Sequence, residues 1–413
     1  MFKHTTFYKT GLAVEGNRVN LLKEDEPLPA MVLKNDAVLN NARWMQSFAD
    51  RAGVRLAPHG KTTMSPDLFK VQLDCGAWGM TLANPFQVKV AYEHGVKRIL
   101  MANQLVGRQN IKSIVELLKF DGGFEFYCCV DSFKNAQAID EICREERLER
   151  PFKVLIEIGP SSGRAGLRSS QAVVELAQAI QLNLKGIELS GIECYEGVIH
   201  GKDAVEEVKS FLKEVSAICV KLEQASLFEV DSIILTGGGT VFFDLVSEIL
   251  TQTQLEKPFE VLIRPGCYLS HDSGIYNEYQ NELLARSEIA RSLPSSLTSA
   301  IEVLAYVQSL PEAGLAILNV GKRDVSFDSG LPKPEKYYSV DKKETSALDD
   351  AWYLSDLNDQ HAFMTFPQGA EVVVGDIVIL SVSHPCLTFD KWQSIMMTDA
   401  QYNVEKHIRT FFG

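Results

Sequence analysis

A chain of 413 residues, 46% apolar and 23% charged, has room for two or three domains with full hydrophobic cores and is too apolar to be disordered. Its net charge of −13 is spread along the chain, which argues against nucleic acid or an anionic membrane surface as a partner. No stretch reaches the ~20 apolar residues of a membrane span, the polar start from Met1 to Thr6 lacks the apolar core of a secretory signal, and the eight cysteines fall at irregular spacings, so a cytoplasmic enzyme is expected.

The first thirty residues are too few to fold alone and are expected to pack on another unit. From there to residue 266 an apolar run, a turn and an amphipathic stretch alternate. The apolar runs are 54–58, 78–83, 98–102, 124–130, 153–158, 187–194, 232–235 and 260–263. Helical spacing marks the segments 65–73, 84–94, 132–144, 170–182 and 203–222, several of which open on Ser, Asn or Asp as N-caps. Eight strands alternating with helices predict an α/β fold, a parallel sheet closed into a (β/α)8 barrel over residues 30–274. After residue 275 short β-rich runs appear at 300–308, 315–320, 371–380 and 394–397, separated by a polar excursion over 331–350. Residues 1–29 and 275–413 are therefore assigned to a second, mostly β domain.

A barrel of this kind carries its active site at the C-terminal ends of the strands, so the residues that follow each apolar run are the candidates. Lys61, with His59 two residues before it, follows the first run, and an amine placed there can form a Schiff base. Arg164 follows the fifth run, Tyr195 the sixth, the series Gly237, Gly238, Gly239 and Thr240 the seventh, and Arg264, Gly266, Cys267 and Tyr268 the eighth. Backbone N–H groups of the glycine run, with the Thr240 hydroxyl, suit a phosphate, and Tyr268 could add a phenolic hydrogen bond or simply pack on the rim. An amine and a phosphate cradle on one rim suggest pyridoxal 5'-phosphate, with Arg164 at the phenolic edge of its ring, although an arginine after a strand is as often a surface ion-pair member.

The second cluster is His384 and Cys386, two residues apart. In an extended segment they share a face and can grip one metal, and imidazole with soft sulfur favours zinc over manganese or magnesium. Two protein ligands leave positions open for water and substrate, although buried Cys and His are also common as packing. Asp390 and Trp392 follow as further neighbours or as packing, and His200 is read as a rim residue.

The segments Pro58 to Thr62, Gly163 to Gly166, Tyr195 to Gly197, Thr236 to Thr240, Arg264 to Tyr268 and Ser383 to Trp392 together resemble the fold-type III pyridoxal phosphate enzymes. The likeness spans nearly the whole chain and is to the D-serine dehydratase and D-threonine aldolase group, which shares its barrel with alanine racemase; the last segment is most similar to bacterial low-specificity D-amino acid deaminases. The resemblance implies that Lys61 is the Schiff-base lysine, that Arg164 touches the phenolic oxygen, and that Tyr195 or Arg264 faces the pyridine nitrogen. It implies further that the glycine run and Tyr268 hold the phosphate and that His384 and Cys386 bind zinc. In that group the aldolases carry His and Asp at the metal pair and the dehydratases His and Cys, so Cys386 points to dehydration of D-serine or D-threonine to 2-oxo acid and ammonia. Retro-aldol cleavage and a non-catalytic pyridoxal phosphate carrier are the alternatives. Thr63 departs from relatives that have a second histidine there, and a homodimer is expected by analogy.

Overall fold

The computed structural model describes residues 19–412. The first strand, β1 (Ala30–Lys34), is followed by eight strands that alternate with helices: β2 (Arg55–Leu56), β3 (Met80–Leu82), β4 (Arg98–Gln104), β5 (Glu125–Val130), β6 (Phe152–Ile158), β7 (Ile187–Cys194), β8 (Ile233–Gly237) and β9 (Phe259–Ile263). β2 to β9 form one parallel sheet in the order β2-β9-β8-β7-β6-β5-β4-β3. The ring closes where the Trp78 N–H donates to the Leu56 carbonyl at 2.7 Å and the Thr81 N–H to the Pro58 carbonyl at 2.8 Å. All eight expected strands are present within a few residues of the apolar runs, as buried parallel strands with few polar positions should be. Three of the barrel helices begin where a short polar side chain caps them: Asn84, Ser132 and Ser169 each accept a hydrogen bond from a backbone N–H three residues on.

The second sheet has ten strands. Its main path joins β10 (Ile301–Glu312), β12 (Lys333–Ser339), β13 (Glu344–Ala347), β16 (Ile377–Ser381), β17 (Ser394–Thr398) and β18 (Val404–Arg409) with β1, in the order β13-β12-β16-β10-β1-β17-β18. β11 (Leu315–Leu318), β14 (Tyr353–Leu357) and β15 (Ala362–Thr365) extend it beside β10. Here the expected boundaries shift. β1 pairs with β10 and β17, so the barrel begins after Lys34 and not at residue 30. Two helices, Ile275–Arg286 and Glu288–Ser292, precede β10, and Arg286 ties the longer one to the barrel through Asp244 at 2.7 Å. The segment 331–350, expected as a polar excursion, is the hairpin of β12 and β13; β13 is exposed throughout and lies at the sheet edge, where no apolar face is required. Residues 1–18 of the expected N-terminal packing segment lie outside the described residues, whereas Asn20 and Leu21 do bond to the turn at 401–403.

One carboxylate knits this domain. Glu302 on β10 is 1% exposed and accepts from Lys34 and Lys336 at 3.0 Å each and from the Tyr402 hydroxyl at 2.9 Å, joining β1, β12 and the turn before β18. Trp392, read from sequence as either a neighbour of the metal pair or packing, is packing: its ring is fully buried and its indole N–H donates to the Asp324 carbonyl at 2.8 Å. Among the described residues no helix is long and apolar enough to cross a membrane, and all eight cysteines are free thiols. Trp392→Ala removes the largest fully buried side chain behind the metal-pair loop and is expected to cost about 3–5 kcal/mol in chemical unfolding, with Trp392→Phe costing clearly less; a loss below ~1 kcal/mol for the alanine variant would contradict this packing role.

Candidate active site

β2 stops after two residues; Pro58 has no N–H to give the ladder, but its carbonyl and the backbone of His59 still meet Thr81 at the ring closure. A single 3-10 turn, Gly60–Thr62, then lifts Lys61 to the mouth of a cavity of about 480 Å³. The exit of β9 passes directly beneath that turn. A Cβ on Gly266 would sit 2.6 Å from the Thr62 hydroxyl oxygen and 3.0 Å from the His59 carbonyl, so only glycine fits there. His59 lines the same cavity with its Nδ1 buried and unpartnered; burial, then the cations Lys61, Arg264 and Arg164, hold its pKa well below the ordinary histidine value, so the ring is neutral.

The structure brings Arg164, Tyr195, Gly239, Thr240, Arg264, Gly266 and Cys267 to this cavity from four other strand ends. Arg164 stands over the Tyr195 ring at 5.1 Å. The loop that presents it is held by Arg168, whose guanidinium donates to the carbonyls of Gly163 at 2.8 Å and Gly166 at 3.0 Å. Arg264 is buried; its Nη2 donates to Glu193 and to the Cys194 carbonyl, while its Nε is buried without a partner. Burial works against the charge on that guanidinium, and the Glu193 carboxylate outweighs it.

Two expectations are corrected. Tyr268 does not reach the cavity: Cys267 faces it, the next side chain turns away, and the Tyr268 hydroxyl accepts from Gln72 at 3.0 Å in the core. Gly237 and Gly238 also lie off the cavity wall. The N–H groups of Gly238 and Gly239 are already taken by the fully buried carboxylate of Glu196, at 3.1 and 3.0 Å, with Gly238 at φ +75° to allow it. Among the described residues the N–H groups of Thr240 and Cys267 meet no acceptor, and that of Gly266 reaches only the Thr240 hydroxyl at 3.4 Å. A phosphate cradle therefore fits one step further along, over Thr240, Gly266 and Cys267, and the idle Arg264 Nε fits a ring nitrogen that accepts a hydrogen bond.

His384 and Cys386 enter this cavity from the second domain. His384 has φ +67°, held by its N–H donating to Asp272 at 2.9 Å, and its Nδ1 meets Asp328 at 2.6 Å. That carboxylate orients the imidazole and leaves Nε2 for a metal. A hydrogen bond to Cys386, reinforced by Asp328, raises the His384 pKa to about 9, and contacts from Cys267, His384 and Thr62 hold the Cys386 thiol well below its ordinary value. An imidazolium beside a thiolate is a donor pair in which a proton sits where a soft divalent cation would bind, so the residues fit zinc.

Sequence reasoning missed Tyr276, Asp272 and Asp328, which no motif marks, and gave no role to Glu196, which lies inside the segment from Tyr195 to Gly197. It also missed a group deep in the barrel: Cys129, Glu157 and Glu193, all buried, with ligating atoms within 4.8 Å of one another. Glu157 and Glu193 are register partners on β6 and β7, and carboxylates inside otherwise apolar strands are the signal that could have found them. Arg264 occupies Glu193 and Gln104 bonds Glu157, so this group reads as a charge-balanced polar core under the cavity.

Comparisons with known proteins agree with this fold. The model of the alanine racemase N-terminal domain covers residues 33–251, and the model described as "Putative serine dehydratase domain" covers residues 300–398. The D-threonine aldolase of an Arthrobacter species is 25% identical over 372 residues, 88% of this chain and 86% of that protein. The D-threo-3-hydroxyaspartate dehydratase of Delftia sp. HT23 is 29% identical over 197 residues, 48% of this chain and 50% of that one. The crystal structure of D-threonine aldolase from Filomicrobium marinum superposes with a TM-score of 0.77 at 21% identity, covering 95% of this chain and 97% of that chain. The Delftia dehydratase superposes with a TM-score of 0.72 at 22% identity over 95% and 99% of the two chains. These superpositions show a common fold.

Burial, then the neighbouring charge of Glu193, raises the Glu157 pKa from 4.5 to about 7. The folded protein thus binds this proton more tightly than the unfolded chain, and the stability it lends is lost as pH rises from about 4.5 through about 7. Glu157→Gln should flatten that decline in thermal unfolding, gaining on the order of 3 kcal/mol on the parent at pH 8 relative to pH 4; parallel pH profiles for the two proteins would contradict it.

Proposed function

Since the chain belongs to the fold-type III pyridoxal phosphate enzymes of the alanine racemase N-terminal domain family, we propose that it is a zinc-dependent dehydratase of β-hydroxy D-amino acids. It would convert D-serine to pyruvate and D-threonine to 2-oxobutyrate, with ammonia. The observation that carries this reading is that Lys61 and the His384–Cys386 pair line one cavity although they come from different domains. When bound, pyridoxal phosphate supplies an electron sink for charge at the substrate Cα, and zinc a Lewis acid for the departing β-hydroxyl.

The chain's own groups divide the remaining work. Lys61 Nζ would hold the cofactor's aldehyde carbon and, once the substrate's amine had displaced it there, would be the free amine placed to take the proton from Cα. Arg164 would stand at the phenolic edge, and Arg264 would donate from Nε to the ring nitrogen and leave it unprotonated, because a guanidinium paired with Glu193 keeps its own protons. Thr240, Gly266 and Cys267 would hold the phosphate. Neutral His59 lines the cavity without adding a further cation beside Arg164 and Arg264. His384 and Cys386 would hold the metal, with Asp328 fixing the imidazole.

Retro-aldol cleavage is favoured by the Arthrobacter D-threonine aldolase, similar over 88% of this chain; Cys386, a soft ligand, favours dehydration with zinc. We take the acting unit to be a homodimer in the cytoplasm, a reading supported by exposed Phe86, Val106 and Phe133 just past the ends of β3, β4 and β5, on the rim into which the cavity opens.

Incubation with D-serine and D-threonine should release keto acid and ammonia in equal amounts, L-isomers should be inert, and chelator should abolish turnover until zinc is restored. Glycine and acetaldehyde from D-threonine would establish the aldolase instead, and the absence of turnover on any hydroxy amino acid would leave a carrier. Asp328→Asn should weaken zinc about 10–100-fold in competition with a chelator while leaving cofactor absorbance unchanged; unchanged zinc affinity would contradict its role.

A further inference from the structure

We propose that Cys267 is a third protein ligand of the same metal, so that the ion is held by two thiolates and one imidazole. The proposal rests on the His384–Cys386 reading above and extends it to a residue that neither the metal-pair motif nor the phosphate cradle requires as a sulfur. The Sγ atoms of Cys267 and Cys386 lie 3.4 Å apart, although the two residues are 119 positions apart in the chain and belong to different domains. With Zn–S bonds of ~2.3 Å at a tetrahedral angle, two thiolates on one zinc stand roughly 3.8 Å apart. The pair is thus within a few tenths of an ångström of the separation that coordination demands.

What surrounds the sulfurs also differs from ordinary thiol packing. Cys128, Cys143, Cys194 and Cys219 sit in the apolar core, the environment in which a buried cysteine acts as a small hydrophobe. Cys267 is 3% exposed, lies outside that cluster and lines the cavity. The Thr62 hydroxyl is 3.9 Å from its sulfur and 3.5 Å from that of Cys386, and the Tyr276 hydroxyl hydrogen-bonds to it. Hydroxyls and an imidazole thus gather around two adjacent sulfurs, a polar setting that none of the four core thiols has.

A Cys2His set occupies three of four tetrahedral positions and leaves one for the substrate's β-oxygen, the arrangement of a catalytic zinc. Two thiolates also cancel the ion's formal charge and make the site softer. It should therefore select zinc or cadmium strongly over manganese or magnesium.

The test uses the full-length protein loaded with pyridoxal phosphate. X-ray absorption on the zinc form should count two sulfur neighbours at ~2.3 Å, a measurement that needs no variant. After chelation and reloading with cobalt(II), the thiolate-to-metal charge-transfer band should fall to about half in Cys267→Ser and likewise in Cys386→Ser, because each sulfur supplies part of it, and zinc should bind about tenfold or more weakly to Cys267→Ser in chelator competition. One sulfur neighbour in the parent, with a band that survives in Cys267→Ser and vanishes in Cys386→Ser, overturns the role of Cys267 and leaves the proposed function standing. A metal without any sulfur neighbour overturns both.

Discussion

The geometry of the site hangs on the carboxylate of Asp272. This residue is fully buried just past the last barrel strand, and one oxygen accepts from the N–H groups of Gly274 and Tyr276 while the other accepts from that of His384. It therefore starts the helix that carries Tyr276 into the cavity and pins the metal-pair loop in a left-handed conformation that a histidine adopts only under constraint. Burial alone would push this carboxyl toward protonation, and several backbone N–H groups pull the other way. Without that joint, a loop from the β domain would have no fixed position over the barrel.

Below the joint, the barrel interior is polar where such interiors are usually filled by branched apolar side chains. Glu157, Glu193 and Arg264 form a charge-balanced layer, and the guanidinium keeps one N–H in reserve. A buried pair of this kind is weak as a source of stability, because desolvation offsets most of the attraction. Its use is positional: Glu193 fixes the plane of Arg264, and the idle Nε then points with little freedom. The same economy explains Glu196, which consumes the N–H groups of Gly238 and Gly239 and so sets the glycine turn rigidly rather than leaving it to wrap around an anion.

The sequence was most informative where local chemistry dictates local structure. Eight apolar runs gave eight strands, and each of the five strand ends named contributes residues to the cavity, because strand direction in a parallel barrel sends every C-terminal end to one rim. It was least informative where a side chain's direction is set by distant packing. Tyr268 follows a residue that faces the cavity and so faces the core, a distinction that rests on Gln72, 196 positions away. Asp328 precedes His384 by 56 residues in a segment without pattern, and β13 carries no apolar face by which a strand is recognised. Cys267 was legible only as part of a motif for backbone contacts; its sulfur matters because the fold delivers a second sulfur to meet it.

The account stands on two chemically different anchors, an amine and a metal site, acting on neighbouring carbons of one small molecule. The most direct measurement is a crystal structure of the protein grown with pyridoxal phosphate and zinc, with anomalous scattering recorded at the zinc edge. The account predicts density continuous with Lys61 Nζ and a single zinc peak in the same cavity, bonded to His384 and Cys386. Zinc bound elsewhere, for example among Cys129, Glu157 and Glu193, or a cavity holding the cofactor with no metal at Cys386, would contradict it.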